Sequence, residues 1–295
     1  MPRVSFTNLD RVFWPEADLR KADLVAYYRA VAPVLVPHLR GRPFTIKRHY
    51  TVPRGPFEWV KDAPAELPGW INTCPQPAKS RPRGELVRYP LVNSEAALFW
   101  MVEYGAVDLH VWTSRCNRPD RPDYLLFDLD PAAGSGFDDA MSAALLFREA
   151  LNALGLESLV RTTGGEGLHV LVPVARRHTH EETRRFARMV AAAVARTAPE
   201  LVTTEARRER RRGVYVDTKM NGQGQQIVCG YSVRPLPGAR VATPLRWEEL
   251  RDGLDPGGFT LRTVPSRLAR VGDLHAGLLR GRQRLDLALA RLTST

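Results

Sequence analysis

Cysteine is scarce in this chain of 295 residues. Cys74, Cys116 and Cys229 are widely separated and odd in number, so neither a disulfide framework nor a zinc site is indicated. No apolar run approaches the length of a membrane span, and Met1-Pro2-Arg3-Val4-Ser5 lacks the apolar stretch of a secretory signal. The expected setting is a reducing cytoplasm, with no membrane partner. Lysine is sparse, and neither an internal repeat nor a low-complexity tail is present. Arginine and alanine are plentiful instead. Lys+Arg of 43 against Asp+Glu of 32 gives a net charge of +11 and a pI near 10.0. Such an excess favours a polyanion, whose phosphates release counterions when neutralised; an arginine-rich coding bias would yield the same balance. At 44% apolar and 25% charged residues, the chain can bury a sizeable core, as one large domain or two intimate ones.

The stretch that organises the rest is Asp123-Tyr124-Leu125-Leu126-Phe127-Asp128-Leu129-Asp130-Pro131. Period two predicts a short buried strand, with Leu125, Phe127 and Leu129 on one face and Tyr124, Leu126, Asp128 and Asp130 on the other. Pro131 and Gly134-Ser135-Gly136 end it. Two carboxylates side by side repel unless a cation removes the penalty, and hard oxygen donors suit Mg²⁺ or Mn²⁺. The plainer reading is a turn opened by Asp130-Pro131 and a helix cap supplied by Asp128.

Taken in order, residues 19–39 have helical periodicity that Pro33 and Pro37 limit or divide. Lys21 stands at the helix start, where a cation opposes the dipole; either an external anion or solvent meets it. Residues 42–50 read as a strand with Lys47 opposite Phe44, Ile46 and Arg48. Between 51 and 90, Phe57, Trp59 and Trp70 interleave with Arg54, Lys61, Lys79, Arg81 and Arg83. Such a mixture grips single-stranded nucleic acid or anchors a long loop to the core. Helices are predicted over 94–104 and 137–154, closed by Gly105 and Gly155, and over 179–197. The strand 107–112 carries His110, a satisfied core histidine or a cleft residue. Arg161-Thr162-Thr163-Gly164-Gly165-Glu166-Gly167-Leu168-His169 is a glycine-rich turn running into an apolar strand, whose backbone can approach a phosphate. Arg207 to Arg212 form a basic cluster ahead of Val214-Tyr215-Val216-Asp217, a strand delivering a third carboxylate. Residues 226–234 read as a strand, 247–250 as a helical piece and 278–292 as a basic helix.

With these residues in place, the sequence resembles the polymerase domain of bacterial ligase D, a branch of the archaeo-eukaryotic primase superfamily that serves non-homologous end joining. The resemblance spans nearly the whole chain, from Asn8-Leu9-Asp10-Arg11-Val12-Phe13-Trp14-Pro15 through Gly41-Arg42-Pro43-Phe44-Thr45-Ile46-Lys47-Arg48 to Tyr231-Ser232-Val233-Arg234-Pro235 and Thr243-Pro244-Leu245-Arg246-Trp247. Three spaced motifs carry it: Asp128 and Asp130; Gly164, Gly167 and His169; and Asp217. It implies an α/β (α+β) primase-type core with an antiparallel or mixed sheet flanked by helices. Residues 1–295 would form one domain, with a DNA-contacting part over 1–120 and a catalytic core over 121–295.

The resemblance further implies template-dependent nucleotidyl transfer that fills short gaps and extends broken ends, with ribonucleotides preferred. Asp128, Asp130 and Asp217 would hold two divalent cations, Mn²⁺ or Mg²⁺, about 4 Å apart. Lys47, His110, Thr163, Gly164, Gly167, His169 and Arg234 would bind the nucleoside triphosphate, His110 near its sugar. Arg11, Lys21 and Arg48 would take the 5′-phosphate of gapped or broken DNA. Ku and a separate ligase are the implied partners, and the nucleoid the implied location. The family's Ser-Gly-x-Lys-Gly-x-His appears here with Thr163 for Ser and Glu166 for Lys. Either Glu166 turns outward, or it pairs with a cation such as Arg161, or nucleotide affinity is weaker. Other readings are a gap-filling polymerase of excision repair, a non-catalytic DNA-end-binding module and a metallophosphohydrolase.

Overall fold

The computed structural model describes residues 2–52, 55–77 and 84–293. The chain divides into two compact units, one of residues 1–117, 226–242 and 257–272, the other of residues 118–225, 243–256 and 273–295. The segments 226–242 and 257–272, which the sequence reading places with the catalytic part, thus fold with the first unit. The principal elements are α1 (Lys21–Leu39), β1 (Phe44–His49), β2 (Phe57–Val60), α2 (Glu95–Glu103), β3 (Ala106–Val111), β4 (Tyr124–Pro131), α3 (Phe137–Ala153), β5 (Leu159–Thr162), β6 (Leu168–Pro173), α4 (His180–Thr197), β7 (Val202–Thr203), β8 (Val214–Asp217), β9 (Ile227–Val228) and β10 (Pro244–Leu245). The fold is the mixed α/β type, with mainly antiparallel sheets and flanking helices.

In the first unit the sheet order is β9-β3-β1-β2, antiparallel throughout. Helices α1 and α2 supply Tyr27, Tyr28, Val31, Leu35, Leu98 and Met101 to a core shared with Phe44, Ile46 and Leu109. The two prolines of α1 neither end nor divide it. Spaced four apart, they share a face, where Pro33 is exposed and Pro37 half-buried. A carbonyl freed there can turn to water, while the buried stripe runs on unbroken. Ser94 caps α2 by accepting from Ala97 N at 3.2 Å, the role its hydroxyl suits.

In the second unit the order is β7-β8-β4-β6-β5-β10, with only β7 and β8 parallel. Helix α3 covers the Leu125, Phe127 and Leu129 face of β4, with Phe127 and Phe147 ring centroids 4.7 Å apart. The acids therefore lie on the opposite face. Asn221 pins this strand from outside the sheet. Its Oδ1 accepts from Leu126 N at 2.9 Å and its Nδ2 donates to Leu126 O at 2.8 Å, so one side chain imitates a strand neighbour.

Three expectations are corrected. Cys74 and Cys116 form a disulfide, in a small cluster with Val87, Tyr89, Leu91 and Trp112; separation along the chain hid their proximity in space. The strand expected over 226–234 shrinks to Ile227–Val228, because Tyr231 adopts φ 65 and the chain leaves the sheet. The C-terminal helix splits into a 3-10 turn, Ala276–Arg280, and an α-helix, Asp286–Thr293. At the break a Cβ on Gly281 would meet Val174 O at 2.5 Å, and Ala175 N donates to Gln283 O at 2.8 Å. Edge pairing replaces helical bonds there.

Replacing Cys74 and Cys116 by serine is expected to lower the unfolding free energy by about 3 kcal/mol, measured by urea denaturation without reductant. Asn221→Ala strips Leu126 of both partners and should cost about 2 kcal/mol in the same assay.

Candidate active site

The register of the second unit's sheet sets a polar row across four strands. Arg161 on β5 faces His169 on β6, His169 faces Asp128 on β4, and Asp128 faces Asp217 on β8. Asp130, two residues on, shares their face opposite Tyr215. Directly opposed like charges in a sheet are unfavourable, and each acid of the pair receives a donor. His169 Nε2 lies 3.0 Å from Asp128 Oδ1, while Lys219 N donates to Asp217 Oδ1 at 2.8 Å. Arg161 Nε donates to His169 Nδ1 at 3.0 Å. Arginine can only donate, so His169 accepts at Nδ1 and offers Nε2–H to Asp128.

Tyr215 reports the shared field of these acids. Burial chiefly, then the charge of Asp217, with Asp130 and Asp128 behind it, raises its phenol above the ordinary range; Arg211, 3.3 Å from the ring centroid, opposes them. The donor set is hard oxygen, suited to Mg²⁺ or Mn²⁺. Among the described residues, no group of three His, Cys, Asp or Glu already closes into a metal cage.

The glycine-rich turn comes against the acid strand. A Cβ on Gly167 would sit 2.4 Å from Leu129 O and 3.2 Å from Asp130 Oδ1, and Gly164 holds φ +74. Thr163 closes the turn: its hydroxyl donates to Gly167 O at 3.2 Å and accepts from Gly165 N at 3.1 Å. Glu166 is exposed at the tip, whereas Arg161 is buried and bonded to His169.

Lys47, His110 and Arg234 lie in the first unit, together with two residues the sequence reading missed. Asp108 is fully buried and accepts from His49 Nε2 at 2.8 Å, His110 Nε2 at 2.9 Å and Lys47 Nζ at 3.2 Å; Arg234 Nε is 4.0 Å away. Burial alone would raise the Asp108 carboxyl, but hydrogen bonds from His110 and His49 and the charges around it hold it far below the carboxylate range. Burial lowers the His110 imidazole below its usual value against the pull of Asp108, so a neutral ring faces an anionic carboxylate. Lys47 also lies 4.3 Å from the Phe57 ring centroid and 5.6 Å from that of Trp59, two exposed aromatics. An acidic residue at period two from a histidine was the available signal for Asp108; His49 gave none until pairing was known. Arg54, Lys79, Arg81 and Arg83 lie outside the described residues.

Arg11, Lys21 and Arg48 gather elsewhere in that unit. Arg11 Nη2 donates to Tyr50 O, and Arg48 packs over Tyr104 and Tyr50. Lys21 is buried and paired with Glu103 at 2.6 Å. Its partner in the structure is thus an internal carboxylate, where the sequence offered an external anion or solvent.

The family described as "LigD, primase-polymerase domain" matches residues 20–275. The multifunctional non-homologous end joining protein LigD of Mycolicibacterium smegmatis is 32% identical over 284 residues, covering 94% of this chain and 36% of that protein. Its Pseudomonas aeruginosa counterpart is 30% identical over 98% of this chain and 34% of its own length. The bifunctional LigD of Bacillus subtilis is 28% identical over 92% and 43%. The chain thus spans roughly a third to two fifths of these relatives. Among solved structures, the polymerase domain from Mycobacterium tuberculosis ligase D in complex with DNA superposes with a TM-score of 0.88 at 29% identity, covering 95% of this chain and 99% of that one.

Because His110 is held neutral, its contribution to stability is complete above its unfolded value of about 6.5 and is lost as pH falls through the lower folded value. Urea midpoints should decline as pH falls from about 6.5 towards the lower folded value, and His110→Gln should shrink the decline.

Proposed function

Because this chain belongs to the LigD primase-polymerase domain family, we propose that it is a template-dependent nucleotidyltransferase that fills short gaps and extends DNA ends in non-homologous end joining. The observation that carries the reading is the register placing Asp128 opposite Asp217, with Asp130 beside them on one face. These three acids would hold divalent cations, which when bound supply charge neutralisation at the phosphates and activation of the attacking hydroxyl. Each residue then has its own task. His169, backed by Arg161, holds Asp128 in place until ligand arrives. Gly167 lets the turn's backbone N–H groups reach a phosphate without displacing Asp130. Lys47 and Arg234 offer charge to the triphosphate, and His110 meets the sugar of a preferred ribonucleotide. Arg11, Arg48 and Lys21 receive the 5′-phosphate of DNA, Lys21 exchanging Glu103 for it. Phe57 and Trp59 offer faces on which bases stack. Ku and a separate ligase are the partners of such an activity.

Extension of a 5′-phosphorylated gapped duplex with Mn²⁺ tests the reading, using ribonucleotides beside deoxynucleotides. The wild type should extend with ribonucleotides favoured, and Asp128→Ala/Asp130→Ala should abolish extension while leaving gap binding. Binding of the gap without any addition by the wild type would sink the polymerase reading and leave the end-binding module. Glu166→Lys places a cation at the exposed, solvent-screened tip of the turn and should lower the nucleotide KM by only about twofold.

A further inference from the structure

One buried carboxylate of the first unit gathers more donors than an ion pair needs. Both oxygens of Asp108 are engaged, Oδ1 by His49 and Oδ2 by His110 and Lys47. An ionised carboxylate only accepts, so both imidazoles must present Nε2–H to it. In His110 this leaves Nδ1 as a bare lone pair, and Nδ1 is buried without a partner. Directly across the β1–β3 pair, Thr45 Oγ1 is buried and unpartnered as well. Trp59 stands edge-on to the His110 ring, with centroids 5.0 Å apart, and fixes its tilt. Buried polar atoms are normally paired. An acceptor kept open beside Lys47 is therefore matched to a ligand that brings both negative charge and a hydroxyl donor.

We propose that Asp108 is the positioning residue of the nucleotide site: it sets Lys47, His110 and Arg234 as one unit and locks His110 in the Nε2–H tautomer, so that Nδ1 accepts from a sugar hydroxyl. This rests on the reading of those three residues as nucleotide-binding. A carboxylate that served only as a structural counter-charge would leave the choice between ribose and deoxyribose untouched, whereas one that fixes a hydrogen-bond acceptor controls it.

Asp108→Ala and Asp108→Asn separate the two roles. Alanine releases both histidines. Asparagine has one carbonyl oxygen and one amino group; with the oxygen toward His110 and Lys47, the amino group faces His49. The Asn variant therefore keeps the His110 tautomer and turns His49 to Nδ1–H. Ring ¹⁵N signals report these tautomers, and equilibrium titration with ATP and dATP and Mg²⁺, without DNA, reports the sugar preference. The wild type should favour ATP. Asp108→Ala should cut the preference for ATP over dATP about fivefold, on top of whatever common change the release of Lys47 and Arg234 brings to both nucleotides, and Asp108→Asn should retain the preference. An unchanged His110 tautomer in the Ala variant, or equal losses for both nucleotides, would overturn the proposal. Should the Ala variant not fold, the Asn variant decides: a shifted His49 signal with the ATP preference kept supports it, and loss of the preference with His110 unshifted refutes it. Binding of neither nucleotide by the wild type removes the nucleotide reading itself, and this proposal with it, even where the tautomers behave as described.

Discussion

The pairing of β4 with β6 on one side and β8 on the other is the constraint on which the second unit depends. It brings His169 and Asp217 to either side of Asp128 although 48 residues separate them from each other in sequence (217 − 169). A slip of one residue would turn Asp128 and Asp130 into the Phe127 face, which α3 covers. The apolar alternation of β4 makes that slip costly, since Leu125, Phe127 and Leu129 would leave the core together. Core packing thus enforces the placing of two acids that gain nothing from each other's company. Asn221 strengthens the same strand by satisfying Leu126 where the sheet supplies no neighbour.

The two units manage charge in opposite ways. In the second, carboxylates are concentrated, and the side-chain donor to Asp128 is an imidazole whose proton is directed by Arg161. A neutral histidine is a weaker partner than a lysine, so the acids keep capacity for a cation. In the first, Lys47, His49, His110 and Arg234 surround the single carboxylate of Asp108, and the excess positive charge keeps capacity for an anion. Pairing is sufficient in both to keep buried groups tolerable and insufficient to exhaust them.

Legibility in the sequence followed the range of the interactions. The acid strand was readable because period two is local, and the same holds for Gly105 closing α2 and for the turn at Gly164. Asp217 was readable as a strand-borne acid, but its opposition to Asp128 is a matter of register between distant segments. Asp108 and His49 escaped because their importance lies in a meeting of β1 with β3. The Cys74–Cys116 bond escaped for the same reason. Pro33 and Pro37 misled in the other direction: their local rule holds in isolation, but a continuous buried stripe outweighs it in α1.

Glu166 shows how far a local departure reaches. Its carboxylate stands exposed at the tip of the turn, and the nearby cation that could have neutralised it, Arg161, is buried and committed to His169. Of the three outcomes open from sequence, the outward one matches this placement. A charge in that setting is screened by water and salt, so it acts on a triphosphate weakly and over a short range. The residues that hold the turn against β4, Gly167 and Thr163, do not depend on position 166. The substitution therefore changes how strongly a phosphate is held, while the row from Arg161 to Asp217, which any chemistry at this face requires, remains as the register builds it.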